Sequence, residues 1–297
     1  MSNSISTYSI KDLERLTGIK AHTLRIWEQR FSLFKASRTK TNIRYYTNED
    51  LVFIINISIL NHSGIKISKI STMDKEEIWA KVLELNSIEN NHEIILTKLK
   101  VALLQYNEFD FLSILEDQIK NIGFENTIID ICFPLLRNVG ILWLTKSLEP
   151  AQEHFATNLI RQKIITEIDK LDWRQSQKSQ SFLIANVENE FHEIGIIFSA
   201  YLVRKNGFRV VYLGKNVPIT NILDFIENNK PDYYISVFTS YPQQKEINGF
   251  VEDIRNRSKK VKMIFSGYQM QNWENKENSN VITFQELAGF INFLKNI

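Results

Sequence analysis

Glu190-Phe191-His192-Glu193-Ile194-Gly195 lies where an apolar run, Phe182 to Val187, gives way to an amphipathic pattern from Ile194 to Lys205. A run of strand length followed by helical spacing predicts a strand-to-helix turn. In open parallel sheets such turns at the carboxyl edge are where ligands bind, which places His192 for chemistry rather than packing. Glu190 is within reach of one ring nitrogen of His192. A hydrogen bond there fixes the tautomer and leaves the other nitrogen's lone pair for a metal. Gly195 keeps the nearby backbone bare, with room for a bulky ligand.

Outward from this turn, strand-like and helix-like segments alternate to the carboxyl terminus. Phe182 to Val187, Phe208 to Leu213, Asp232 to Val237, Lys260 to Phe265 and a short Val281-Ile282-Thr283 read as five strands, an α/β doubly wound fold of the flavodoxin-like kind. No Gly-x-Gly-x-x-Gly occurs, so an ordinary dinucleotide site is not expected. The polar stretch Arg174 to Gln180 reads as a linker. Before it, helical patterns run over Glu76 to Leu85, His92 to Tyr106, Phe109 to Lys120, Thr127 to Leu144 and Ala151 to Ile168. Proline is absent until Pro134 and charges interleave at helical spacing, which predicts an up-and-down four-helix bundle.

Glu190-x-His192-x-x-Gly195 resembles the fingerprint Asp/Glu-x-His-x-x-Gly of cobalamin-binding domains. In that family a Ser-x-Leu or Ser-x-Thr follows at a second strand end and Gly-Gly at a third. Here Ser236-Val237-Phe238 and Ser266-Gly267 stand at those ends, and Gly214 to Pro218 resembles the family's loop after the second strand. The resemblance implies that His192 replaces the cofactor's lower base on cobalt, while the nucleotide tail runs past Gly195, Ser236, Ser266 and Gly267. Phe238 and Ser266 are larger than the usual residues, so a narrower tail pocket is expected. Upstream, Trp143 followed by Glu153-His154 resembles the Trp-x9-Glu-His signature of the helical domain that caps cobalamin in the light-sensing CarH-like regulators. By that likeness Trp143, Glu153 and His154 approach the upper ligand. The residue after the Trp is a cobalt-capturing histidine in the photoreceptor members and is Leu144 here, which argues against a bis-histidine light product.

The chain has 297 residues, 43% of them hydrophobic, enough for two or three ordinary cores. Its single cysteine, Cys132, excludes an internal disulfide and reads as a buried small hydrophobe. No apolar run reaches bilayer length and no signal pattern opens the chain, so no membrane and a cytoplasmic location are expected. The net charge of +2 is uneven. Residues 1–70 hold eleven Lys or Arg against five acids, a net of +6, so the remainder carries −4. A basic end on a near-neutral protein is the footprint of a phosphate-backbone binder.

That basic end begins with a Ser9-capped helix, Ile10 to Leu16, then a Thr17-Gly18 turn and a second helix, Ala21 to Arg30, which together read as a helix-turn-helix. The stretch from Phe31 to Tyr46 carries no acids and precedes another capped helix at Thr47. Tyr8-Ser9-Ile10, Leu16-Thr17-Gly18-Ile19, Thr23-Leu24-Arg25-Ile26-Trp27-Glu28, Arg44-Tyr45-Tyr46 and Gly64-Ile65 resemble the MerR-type winged helix-turn-helix. The resemblance implies DNA contacts from Thr23 and Arg25 on the recognition helix and from Arg38, Lys40, Arg44 and Tyr45 on the wing. Most are to phosphate, which sets affinity more than sequence choice.

The sequence therefore predicts several domains: an all-α winged helix-turn-helix over 1–74, a capping bundle over 75–172, a linker over 173–180, and a Rossmann-like cobalamin-binding domain over 181–297. The expected protein is no enzyme but a repressor of operator DNA, a homo-oligomer (dimer or tetramer) controlled by adenosylcobalamin or another cobalamin form, with a possible light response. Two alternatives are a MerR-type regulator that has lost cobalamin or senses another ligand, and a corrinoid methyl carrier. The DNA module argues against the second.

Overall fold

A computed structural model of the chain describes residues 7–39, 41–84, 92–144, 149–172, 178–271, 273, 280–284 and 286–297. These form two compact units, 1–159 and 160–297.

In the first unit, α1 (Ile10–Thr17) and α2 (Ala21–Phe31) build the helix-turn-helix. Ser9 and Asp12 form a reciprocal capping box on α1, and Gly18 ends it in the left-handed conformation at φ 74°. Glu14 reaches across the turn, where its Oε2 accepts the N–H of Ala21 at 3.1 Å and caps α2. Leu13, Leu16, Leu24 and Trp27 fill the space between the helices. The module is not purely helical. Its wing is a two-stranded antiparallel ribbon, β1 (Ser37–Arg38) and β2 (Arg44–Tyr45), with Ser37 opposite Tyr45. Thr47 and Asp50 cap α3 (Asn48–His62), which is followed by a short α4 (Ile67–Ile70).

The α3 helix is apolar nearly all round, because it packs on α1 and also on the helices that follow it, α5 (Lys75–Glu84) and α6 (His92–Leu104). The rest of the unit comprises α7 (Glu108–Ile122), α8 (Phe124–Thr127), α9 (Phe133–Leu144) and the long α10 (Pro150–Asp169), which runs on into the second unit. Residues Thr127 to Leu144, expected as one helix, are three pieces: α8, a π-helical turn over Ile128–Cys132, and α9. Leu99, Leu103, Phe111, Leu115, Ile131, Leu135 and Ala156 are buried in this part. Cys132 is fully buried, as expected, and burial pushes its thiol up to about 12.

The second unit is a parallel five-stranded sheet: β3 (Ser181–Val187), β4 (Arg209–Val217), β5 (Tyr233–Val237), β6 (Lys262–Ser266) and β7 (Val281–Thr283). The spatial order β4-β3-β5-β6-β7 is the flavodoxin-like order. The α12 (Ile219–Asn229) and α13 (Gln244–Arg257) helices bury Ile222, Ile226, Phe250 and Ile254 against one face, on Leu183, Tyr234 and Phe265. On the other face lies α11 (Ile194–Lys205), and α14 (Leu287–Asn296) brings Phe293 edge-on to Tyr233, which stacks on Phe182. After β3 the chain crosses to β4 and then returns to β5 on the other side. The crevice between the carboxyl ends of β3 and β5 is thus the topological switch point.

Candidate functional site

The loop after β3 carries Glu190 and His192 into that crevice. Glu190 is fully buried, which an isolated carboxylate could not tolerate. Its Oε1 accepts the backbone N–H of His192 at 2.9 Å and lies 2.7 Å from His192 Nδ1. Its Oε2 accepts three successive backbone N–H groups from the loop after β5: Thr239 at 2.8 Å, Ser240 at 2.7 Å and Tyr241 at 3.0 Å. Burial alone would raise this carboxyl. The His192 ring and these amides outweigh burial and hold it down at about 2. Glu190 is therefore an anion at neutral pH, and a hydrogen bond to it makes Nδ1 a protonated ring nitrogen of His192. Nε2 is then the ring atom that could take a metal. The His192 side chain is 56% exposed, so the ring stands at the surface of the crevice on a buried support.

A second buried residue locks the same place from below. Asn186, in the last turn of the strand before the loop, donates from Nδ2 to the His192 carbonyl at 2.8 Å. Its Oδ1 accepts from the Ser236 hydroxyl at 3.0 Å and the Val237 amide at 2.8 Å. Ser236, expected along a nucleotide tail, is buried and spends its hydroxyl here. Gly195 opens α11 against Val237, and a Cβ placed on it would lie 2.9 Å from Val237 Cγ1. The room expected beside Gly195 is taken by the Val237 side chain. Phe238, expected to narrow the tail pocket, points the other way into the core, its ring 4.9 Å from that of Phe265. Gly267 sits at φ 105°, and a Cβ there would lie 2.3 Å from the Phe238 carbonyl oxygen, so only glycine fits. The Ser266 hydroxyl donates to the Phe284 carbonyl at 3.1 Å.

Glu193, next to His192, gathers three partners: Arg161 Nε of α10 at 2.9 Å, the Tyr212 hydroxyl of β4 at 3.1 Å and Lys215 Nζ at 3.7 Å. Burial, then the Glu193 charge, raises the Tyr212 hydroxyl above its ordinary value. The sequence reading missed Asn186, Ser240 and the work of Glu193. A polar Asn inside an otherwise apolar strand was the available signal for the first.

Of the residues expected at the upper ligand, Glu153 and His154 are adjacent on α10, in the first unit, with His154 Nδ1 3.0 Å from Glu153 Oε2. Glu153 Oε1 accepts from the Thr157 hydroxyl at 2.7 Å, while the His154 side chain is 72% exposed. Trp143 is in α9, and its side chain lies outside the described residues. In the DNA module Arg25 is exposed on α2 and Thr23 is half-buried. Arg38 donates from Nη1 to Asn42 Oδ1 at 2.7 Å within the wing. Arg44 and Tyr45 are half-buried in β2, and Arg44 Nε faces Glu28 at 3.8 Å. Lys40 lies outside the described residues. Among the described residues no group of three or more His, Cys, Asp or Glu is placed to hold a metal ion, and no helix is long and apolar enough to cross a membrane.

Residues 8–77 match the family described as MerR HTH family regulatory protein, and residues 95–166 match the B12 binding domain. The second match falls on α6 to α10, the helices that carry Trp143, Glu153 and His154. Over 233 residues the chain is 24% identical to the HTH-type transcriptional repressor CarH of Myxococcus xanthus, covering 76% of this chain and 77% of the relative. Over 249 residues it is 25% identical to the HTH-type transcriptional repressor CarA of the same organism, covering 83% and 82%. Among solved structures it resembles the monomethylamine corrinoid protein of Methanosarcina barkeri, with a TM-score of 0.56 and 15% identity over 69% of this chain and 99% of that one. At that identity the likeness concerns the fold alone.

Proposed function

The chain being a MerR-type helix-turn-helix protein joined to a B12 binding domain and homologous to the CarH and CarA repressors, we propose that it is a DNA-binding transcriptional repressor controlled by cobalamin at His192. The observation that carries the reading is the exposed His192 ring held by the fully buried Glu190 carboxylate. A lone imidazole with its other nitrogen fixed suits a metal whose remaining positions a macrocycle fills.

Cobalamin, when bound, would supply a cobalt ion able to take an imidazole and an exchangeable ligand. His192 would hold the ion through Nε2, while Glu190 would fix the ring and raise its basicity. Gly195, Ser236, Ser266 and Gly267 would flank the nucleotide tail. Trp143, Glu153 and His154 would meet the exchangeable ligand, adenosyl in this reading. Leu144 carries no ligating atom, so illumination leaves no histidine adduct through that position. The domains are the winged helix-turn-helix over 1–74, the bundle over 75–172 and the cobalamin domain over 181–297. A ligand that prefers one arrangement of them shifts the population of the homo-oligomer, dimer or tetramer, that reads repeated half-sites on operator DNA.

The test is an absorbance spectrum of protein mixed with adenosylcobalamin in the dark, desalted and then illuminated, with sizing at each stage and His192→Ala as control. Retained cofactor that the variant loses is expected. A second reading, a regulator without cobalamin, draws on Ser236 being spent on Asn186 and Val237 filling the space at Gly195. It predicts that cofactor washes out of the wild type while DNA binding remains.

A further inference from the structure

One side chain joins the recognition helix to the wing. Glu28 of α2 has a side chain only 14% exposed. Its Oε1 accepts the backbone N–H of Ala36 at 2.8 Å, immediately before β1, and its Oε2 lies 3.8 Å from Nε of Arg44 in β2. That spacing is one at which opposite charges attract without a hydrogen bond. Glu28 Oε2 and Arg44 Nε are both shut off from solvent and without a hydrogen-bond partner, as is the hydroxyl of the buried Tyr46. Burial, then the nearby Glu28 charge, pushes that hydroxyl up to about 12, which places Tyr46 in the same field. The Arg44 side chain is nevertheless 38% exposed. Its inner edge therefore faces the carboxylate while the outer edge of the guanidinium reaches the surface. A guanidinium can serve two acceptors on different edges at once, which an ammonium on a flexible stem does not.

We propose that Glu28 is a positioning residue for DNA contact: it anchors the wing at Ala36 and holds the inner edge of Arg44, so that the outer edge is aimed at a backbone phosphate. The proposal rests on the DNA-binding reading above. It makes a counter-intuitive demand, since removing a negative charge near DNA ordinarily tightens binding.

The experiment uses the full chain and a fluorescent 30-base-pair duplex of mixed sequence, titrated by anisotropy between about 50 and 200 mM KCl, where phosphate contacts dominate. Arg44→Ala is expected to weaken binding and to lower the slope of log K against log salt by about 0.9, one phosphate contact. Glu28→Gln, which keeps an acceptor for Ala36 and loses the charge, is expected to weaken binding about fivefold and to cut the slope similarly, with no further loss in the Arg44→Ala background. Arg44→Lys keeps the charge and does not depend on Glu28→Gln folding. It is expected to lose nearly as much affinity as Arg44→Ala. The proposal is overturned if Glu28→Gln binds as tightly as wild type or more so, if its loss persists with Ala at 44, or if Arg44→Lys binds like wild type. A wild-type chain that binds the duplex at no salt concentration overturns the DNA-binding reading itself, a result none of the variants can mimic.

Discussion

Two carboxylates, a buried one at Glu190 and a half-buried one at Glu28, each organise a site in a different unit, and they are satisfied to different degrees. Glu190 meets the N–H and ring of His192 and three consecutive amides from the loop after β5. Glu28 meets one amide, and its second oxygen faces Arg44 without a hydrogen bond. A carboxylate with a full set of donors is a fixed support whose loss leaves buried N–H groups stranded. One with an open edge leaves its guanidinium partner able to take a second acceptor. The loop around His192 is therefore fixed by its own hydrogen bonds, whereas the contact between Glu28 and Arg44 keeps an open edge.

The largest effect expected from breaking this contrast is at Glu190. Glu190→Ala strands the three amides of residues 239–241, and at about 1 to 3 kcal/mol for each unsatisfied buried donor the unfolding free energy in urea should fall by about 4 kcal/mol. A loss below about 1 kcal/mol would show that water replaces the carboxylate, and the fixed support would be no such thing.

Asn186→Leu should follow, at about 2 kcal/mol in the same assay, because it removes the acceptor of Ser236 and Val237 and the donor to the His192 carbonyl. Cobalamin affinity should fall with it, since the His192 carbonyl loses its donor.

Lys98 sharpens the comparison as a charge with no partner among the described residues. Burial alone lowers its ammonium to about 8 from an ordinary 10.5. Its folded form sheds the proton at lower pH than the unfolded chain, so between about pH 8 and 10.5 the unfolded state holds more protons and stability rises with pH. Compared with Lys98→Met across that window, the wild type should gain about 1 kcal/mol on the variant, the figure reduced for partial exposure. A constant difference between the two would mean that the ammonium finds a partner in solution.

The smallest effect on stability is expected at His192. Its ring is 56% exposed and Glu190 keeps its backbone donors, so His192→Ala should change the unfolding free energy by less than about 0.5 kcal/mol while abolishing cofactor retention. Equal damage to both would make the histidine a structural turn residue.

Much of this architecture could be read from the chain. The capping boxes at Ser9 and Thr47, the turn at Gly18 and the alternation of strands and helices after Ser181 are local patterns, and the elements formed where expected. The misreadings are not of one kind. β4 was expected to stop at Leu213 but continues to Val217, because irregularities in its pairing with β3 around Gly214 carry polar Lys215 and Asn216 onward as edge strand. Phe238 was placed at the ligand and lies in the core, because strand alternation gives Val237 the side facing Gly195. The run Thr127 to Leu144 has unbroken helical spacing, yet the backbone widens into a π turn at Ile128–Cys132, for which we have no account from the residues themselves.

By itself the sequence determined the order of the modules, the identity of the Glu-His pair and the basic character of the amino-terminal end, since spacing, capping and charge are properties of neighbours along the chain. Only the tertiary structure decided what surrounds the pair. The donors that close on Glu190 Oε2 come from residues 49 to 51 positions away and are backbone amides, which carry no side-chain signature. The aim of Arg44 likewise depends on how a two-residue ribbon settles against a carboxylate one helix earlier, a matter of packing in three dimensions.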